Sequence, residues 1–306
     1  MRIAVPDFVS STLFPLIAAK ELGFFKEEGL DIEIVHTNGL RAVESLRDGV
    51  VDFSAGPAHA PLMIFPGWRG VKLVTTISQG TPWLLVMQSG LAAKRGEIEA
   101  VKGRRIAADR GPGLVFNHLL REAGIDIERD RVEIGPLPGT TEPGISFGVA
   151  SGRALAEGRV DGIWANVLGC EIAIHLGGGS VVADTRRGDG PPGAGSYSFA
   201  ALATTESNIE TDPNRVEAVI RAVVRAQSVL RHDPPRATEV GKKLFPPVEA
   251  ELIGQLVARD AEFYKPSISE ETISELNRFA QSVGLLPGPV PYEQVVAVQF
   301  RDLWQS

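Results

Sequence analysis

Apolar and polar residues alternate along this chain with two different periods. Residues 2–6, RIAVP, read as a first strand, and LDIEIVHT as a second, alternating apolar and polar positions. Between them SSTLFPLIAAKELGFF predicts a helix, opened by Ser10 or Ser11, with Pro15 near its first turn and Gly23 at its close. GLRAVESLRDG predicts a second helix ended by Gly49, and VVDFSAG a third strand. PAHAPLMIF begins a helical or irregular segment, and VKLVTTIS and WLLVMQ add two strands. Strands that alternate with helices predict a largely parallel sheet.

The pattern then restarts. GRRIAAD is a strand, GLVFNHLLREAG a helix and RVEIGPL a strand. GRALAEGRV follows as a short helix, DGIWAN as a strand, VLGCEIAIHLGG as a helix and SVVADT as a strand. RRGDGPPGAGS, residues 186–196, has the composition of a flexible loop. YSFAALATT is a strand that can lead back to the first lobe. The remainder is mainly helical, and PSISEETISELNRFAQSVGLL carries Ser267 and Glu270 at capping-box spacing. The expected architecture is α/β with two lobes: residues 1–88 with 197–306, and residues 89–196.

Composition narrows the function classes. The chain has 306 residues, 43% hydrophobic and 23% charged, with a net charge of -7. An acidic chain without clustered Lys and Arg argues against a nucleic-acid surface. Cys170 is the only cysteine, so neither an intrachain disulfide nor a Cys-rich metal site is available. His36, His59, His118, His175 and His232 lack metal-ligand spacing. No metal and no cofactor is expected. No apolar run approaches a membrane span, and MRIAVPDF lacks the apolar core of a secretory signal. The expected location is periplasmic if the chain is a mature form, and cytoplasmic if Met1 is the native start.

Two βαβ lobes predict a cleft at the carboxyl ends of both sheets, where ligands bind in open α/β folds. Gly56, Pro57 and His59 follow the third strand on that edge. Gly56 permits unusual backbone conformations, and Pro57 fixes its own and removes a donor. His59 reads first as a hydrogen-bonding group for a ligand, then as a structural residue, and last as a catalyst, because no partner carboxylate is near it in sequence.

The order of AAKELGFFKEEGLDIEIV, NGLRAVESLRDGVVDFSAG, VKGRRIAADRGPG and LAEGRVDGIWAN resembles the NMT1/THI5-like family. That branch of ABC-transporter substrate-binding proteins is grouped with sulfonate, nitrate and taurine binders. The resemblance implies a type II periplasmic-binding fold that closes on its ligand. It implies contacts from Phe8, Ser10 and Ser11, from Asn38 and Gly39, and from Gly56 to His59 in the first lobe. In the second lobe it implies Asp109 to Gly113 and the region of Trp164 to Asn166. The second-lobe turn departs from the family: it is Gly-Pro-Gly where sulfonate binders tend to carry Ser or Thr.

At RGPG, the backbone N–H groups of Gly111 and Gly113 and the helix dipole can hold an oxyanion, with Arg110 adding a bidentate contact. The other reading is a turn whose glycines serve backbone geometry alone. Arg41 is a second anion candidate, more easily explained as a solvated helix residue. Trp83, Trp164, Phe8 and Phe116 offer flat walls for a ring, although core packing explains any single aromatic as well. Asn166 offers both donor and acceptor, and Thr81, in QGTPW, lines the cleft or turns the chain. The expected function is capture of a small anionic or aromatic solute for ABC-type import, with a membrane permease as partner. The alternative is a cytoplasmic enzyme on the same fold, resembling a thiamine-pyrimidine synthase, a decarboxylase or a menaquinone-pathway member.

Overall fold

The computed structural model describes residues 1–305 apart from Asn38, Thr141 and Pro143. Its strands are β1 (Arg2–Val5), β2 (Glu33–His36), β3 (Phe53–Pro57), β4 (Val71–Ser78), β5 (Trp83–Gln88), β6 (Arg105–Ala108), β7 (Glu133–Gly135), β8 (Gly162–Asn166), β9 (Gly179–Asp184) and β10 (Ala200–Thr205). The helices are α1 (Phe14–Glu21), α2 (Phe24–Glu27), α3 (Arg41–Arg47), α4 (Ala60–Ile64), α5 (Arg110–Glu122), α6 (Phe147–Ala156) and α7 (Val167–His175). After β10 come α8 (Glu206–Thr211), α9 (Pro213–His232), α10 (Pro235–Leu244), α11 (Pro247–Asp260), α12 (Glu270–Ser282) and α13 (Tyr292–Val295). The chain divides into two compact units, Met1–Gln79 with Phe199–Ser306, and Gly80–Ser198.

In the first unit the sheet order is β2-β1-β3-β10-β4. β1 pairs in parallel with β2 and β3, whereas β10 runs antiparallel to both β3 and β4. Ile3, Ala4, Phe53, Leu73, Val74 and Leu202 are buried in this sheet. The α9 helix lays Val216, Val219, Ile220, Val223 and Leu230 into the core, and its exposed Arg221 and Arg225 pair with Glu28 and Glu27 beside α2. Such exposed pairs contribute little stability, so the apolar face carries the packing.

The second unit repeats the plan with the order β7-β6-β8-β5-β9. Here β6 is parallel to β7 and β8, and β5 is antiparallel to β8 and β9. The sequence expectation of a largely parallel sheet holds for four of the five strands of each sheet, which run the same way, and fails at the inserted one. It also placed WLLVMQ with the first lobe, whereas β5 is an inner strand of the second sheet. An apolar run reports burial on both faces but not which sheet provides the neighbours.

Two capping expectations also change. α1 begins at Phe14, with Leu13 before it and no side-chain cap, so neither Ser10 nor Ser11 opens the helix. α12 is capped by Ser269, which accepts from the Thr272 N–H, rather than by Ser267. The glycine-rich loop after β9 carries internal bonds: the Asp189 carboxylate accepts from the Asp184 N–H at 2.7 Å and pairs with Arg95 at 2.8 Å.

In the second unit α6 and α7 approach so closely that glycine is required. A Cβ added at Gly152 would lie 2.2 Å from the carbonyl oxygen of Gly169. On α5, His118 is buried against Tyr197, ring centroids 4.5 Å apart. Burial lowers the His118 pKa, with Glu122 raising it and Arg121 lowering it by smaller amounts. Burial also pushes the Tyr197 phenol up to about 12.

Gly152→Ala should destabilise the protein by about 1–3 kcal/mol, the usual consequence of overpacking, measured as a lowered urea midpoint. An unchanged midpoint would refute the close approach. For His118 the unfolded state binds the proton more readily than the folded one. Its contribution is therefore intact above the ordinary histidine pKa and lost as pH falls below it. The melting temperature of the native chain should drop between about pH 7 and pH 5 more steeply than that of His118→Gln; parallel curves would contradict the burial argument.

Candidate functional site

Parallel strands leave their following turns on one edge of a sheet. In the first unit β1, β2 and β3 point the same way, so residues 6–13, Thr37, Gly39, Leu40 and residues 58–59 share an edge. The first turn is unusually polar for its burial. Asp7, Ser10, Ser11 and Thr12 are all buried, and the Asp7 carboxylate accepts from the Val9 N–H at 2.8 Å. The Ser11 and Thr12 hydroxyls, in residues 2% and 5% exposed, have no hydrogen-bond partner among the described residues. The Tyr264 hydroxyl donates to the Ser11 carbonyl at 2.7 Å and so fixes the turn from behind. Leaving a buried hydroxyl unsatisfied costs about 1–3 kcal/mol; Ser151 and Tyr197 in the second unit carry buried hydroxyls of the same kind. Sequence reasoning named Ser10 and Ser11 but missed Asp7 and Thr12, although PDFVSST shows the polar run.

Phe8 is half-buried on the same turn, its ring 5.5 Å from that of His36, whose Nε2 lies 3.1 Å from the Pro6 carbonyl. Gly39 has a φ of 57°, a left-handed conformation that favours glycine; Asn38 lies outside the described residues. Gly56 and Pro57 do not form the turn expected of them. Both belong to β3 and pair with Ala201 and Ala200 of β10. Gly56 does not use positive φ, and a Cβ there would meet only Pro6, at 3.6 Å. The turn begins one residue later, where the Ala58 N–H donates to the Phe199 carbonyl at 2.8 Å. His59 is 0% exposed, with its ring edge-on to Phe279 of α12 at 5.4 Å.

In the second unit Asp109–Gly113, Asn166 and Trp83 share the corresponding edge, because β6 and β8 end there and antiparallel β5 begins there. Asp109 is the N-cap of α5: its carboxylate accepts from the Arg110 N–H at 2.8 Å. Its carbonyl takes the Gly113 N–H at 2.7 Å, and Pro112 has no N–H to offer. The first helical turn is thus largely satisfied by Asp109. Burial raises the Asp109 pKa, opposed by the bond from the Arg110 backbone. The Arg110 side chain is exposed, and Gly111 and Gly113 are buried.

Trp164 is fully buried. It stacks on Phe116 at 5.0 Å, lies 6.4 Å from Trp83, and donates from Nε1 to the Pro112 carbonyl at 3.0 Å. It therefore fastens the RGPG turn to the sheet from below. Asn166 caps α7, its Oδ1 accepting from the Gly169 N–H at 2.9 Å. Thr81 is buried, with its hydroxyl 3.4 Å from the Ser198 carbonyl. Arg41, at the start of α3, is exposed. Cys170 is buried, its Sγ directed at the carbonyls of Leu84 and Ala165. No cluster of metal-ligating side chains occurs among the described residues, and none of their helices is long and apolar enough to cross a membrane.

The fold has many solved counterparts. The alkanesulfonate-binding protein SsuA from Xanthomonas axonopodis pv. citri, bound to MOPS, matches at 16% identity with a TM-score of 0.70, over 98% of this chain and 96% of that one. The periplasmic nitrate-binding protein NrtA from Synechocystis PCC 6803 matches at 14% identity and 0.72, over 99% and 86%. The desulfurization enzyme DSZB matches at 16% identity and 0.65, over 98% and 97%. No curated protein matches the sequence. Likeness at these identities is likeness of fold, and it bears out the α/β, type II periplasmic-binding class expected from the sequence. The NMT1/THI5 like profile matches residues 10–237, most of the chain, and the protein belongs to that family.

Proposed function

We propose that this protein captures a small anionic or aromatic solute for ABC-type import and delivers it to a membrane permease. The observation that carries the reading is the pair of buried, unpartnered hydroxyls of Ser11 and Thr12 on the turn after β1. Hydroxyl donors suit an oxyanion such as a carboxylate, and the half-buried Phe8 beside them offers a ring face. We assign Ser10 and Gly39 to the same contact surface. In the second unit we assign the Asp109–Gly113 turn with Arg110, together with Trp83 and Asn166. There the Asp109 carboxylate suits a ligand group that donates hydrogen bonds. His59 and Trp164 support the two surfaces from beneath.

Further support comes from the solved counterparts SsuA and NrtA, described as binders of alkanesulfonate and nitrate. NrtA is described as periplasmic, and the periplasm is where we place the mature protein. Capture by closure follows if contacts to both lobes favour one arrangement of them. An enzyme on this fold would need a reactive group within reach of its substrate. His59 and Cys170, the side chains best suited to that role, are both fully buried. DSZB keeps the alternative open to test, and product formation from any ligand found would establish it.

A thermal-shift screen over carboxylates, sulfonates and heteroaromatic acids tests the reading. A ligand at about 100 times its Kd should add roughly 2.7 kcal/mol of stability. For that ligand Ser11→Ala and Thr12→Val should each weaken binding by about 1–3 kcal/mol, roughly 5- to 150-fold. Without ligand the same variants should melt no lower than the native chain, because each removes a desolvated hydroxyl. Full affinity in both variants would take this turn out of the site.

A further inference from the structure

β4 is the last strand in the order of the first sheet, so one of its edges pairs with β10 and the other faces away from the sheet. The sequence makes that outer edge a hazard. Leu73–Ser78, LVTTIS, carries no charge, no proline and no glycine, and it is dominated by β-branched residues. All six residues are buried. Segments of this kind pair readily with copies of themselves wherever a strand edge lies open.

Two register shifts against β10 leave Val74 and Ile77 with no residue opposite them, the pattern of a β-bulge. A buried carbonyl freed from the ladder needs another donor. The Ile77 carbonyl accepts from Gln227 Nε2 of α9 at 2.9 Å, and the Val74 carbonyl from the Trp304 indole at 3.1 Å. Trp304 belongs to a segment, residues 293–304, that bonds along this half of the edge. The Ala297 N–H donates to the Leu73 carbonyl at 3.0 Å, beside a parallel bridge between Leu73 and Val296. Lys72 Nζ donates to the carbonyls of Glu293 and Gln294 at 2.7 and 2.9 Å, and Gln294 Nε2 to that of Gly67 at 2.6 Å. Phe300, buried, fastens the segment on its apolar side. Farther along, the Thr76 N–H donates to the Pro266 carbonyl at 2.9 Å.

We propose that residues 293–304 form a strap that keeps β4 from pairing with the β4 of a second copy of this chain. The strap occupies the Leu73 and Val74 carbonyls, which an incoming strand would need. Lys72, the one charge in VKLVTTIS, is turned onto the strap. Release of the strap opens the edge of an eight-residue strand. Two copies then meet through the same edge about a two-fold axis, as self-complementary surfaces do. The strap acts within the first unit alone and does not depend on the solute-capture reading.

Sedimentation velocity of the full chain tests it. Ala297→Pro removes the N–H that meets Leu73, and Trp304→Phe removes the indole donor while keeping a ring. If Ala297→Pro does not fold, Gln294→Ala combined with Trp304→Phe takes its place. Exchange at the Phe300 amide, which donates to the Ala297 carbonyl, should rise roughly 5-fold for each bond lost. The variants should sediment with a dimer fraction above that of the native chain. A labelled peptide of residues 71–78 should bind the variants and not the native chain. The same peptide with Thr75→Pro, which cannot complete the pairing, should bind neither. Faster exchange in folded variants that sediment as the native chain does would overturn the proposal, as would unchanged exchange in all of them. Equal binding of the two peptides would overturn it too, because the contact would then not be strand pairing.

Discussion

Each sheet is completed by the first strand that follows a crossing of the chain between units. β10, just after the chain returns to the first unit, enters the first sheet between β3 and β4, while β5, just after the chain enters the second unit, lies in the second sheet between β8 and β9. Both inserted strands run antiparallel to their neighbours on either side. Backbone groups buried in a sheet must be paired, so without β10 the facing edges of β3 and β4 would be open. The first unit therefore cannot complete its sheet until the chain has traversed Gly80–Ser198 and come back. The second unit is continuous in sequence, yet its β5 also pairs with late strands, Trp83 with Asn166 and Leu84 with Asp184.

That pairing also decides where the candidate surface starts. β10 extends its register to Pro57 and Gly56 and holds them as strand. The Phe199 carbonyl, just ahead of β10, then takes the Ala58 N–H. So the turn after β3 is placed by a bond from the returning chain. The turn after β1 is placed instead by the Tyr264 hydroxyl on the Ser11 carbonyl. Both anchors come from residues late in the sequence, yet they fix turns near its beginning. A surface built this way is stiff in its backbone while its side-chain hydroxyls stay available.

Most elements were legible because their periods differ. LDIEIVHT, VKLVTTIS and the long amphipathic run of α9 announce themselves by spacing alone. Pairing direction was not legible, since WLLVMQ and AALATT show apolar runs that fit any inner strand. Site residues divided along the same line. The polar run at Ser10 and Ser11 was visible and proved buried. The burial of His59 and Trp164 depends on Phe279 and Phe116, which reach them only through tertiary packing. The Ser269 cap won over Ser267 because the helix starts where side-chain geometry allows a bond to Thr272, a choice that the spacing of Ser and Glu leaves undecided.

The two edges differ in what they leave unsatisfied, and that difference bears on the ligand. Each unit places a helix after its first parallel strand, α1 after β1 and α5 after β6. α5 is capped by its own carboxylate, which sits where the positive end of the helix dipole would draw an anion. α1 has no side-chain cap, and the Ser11 and Thr12 hydroxyls just ahead of it have no partner among the described residues. An oxyanion brought to α5 would meet the Asp109 charge, whereas at α1 it would meet donors that are already desolvated and oriented by the turn. Preorganised donors avoid the cost of ordering at the moment of binding. The physical case for an anionic group therefore rests on the first unit. On the second, the Asp109 carboxylate suits groups that donate hydrogen bonds, and Arg110 remains exposed beside it.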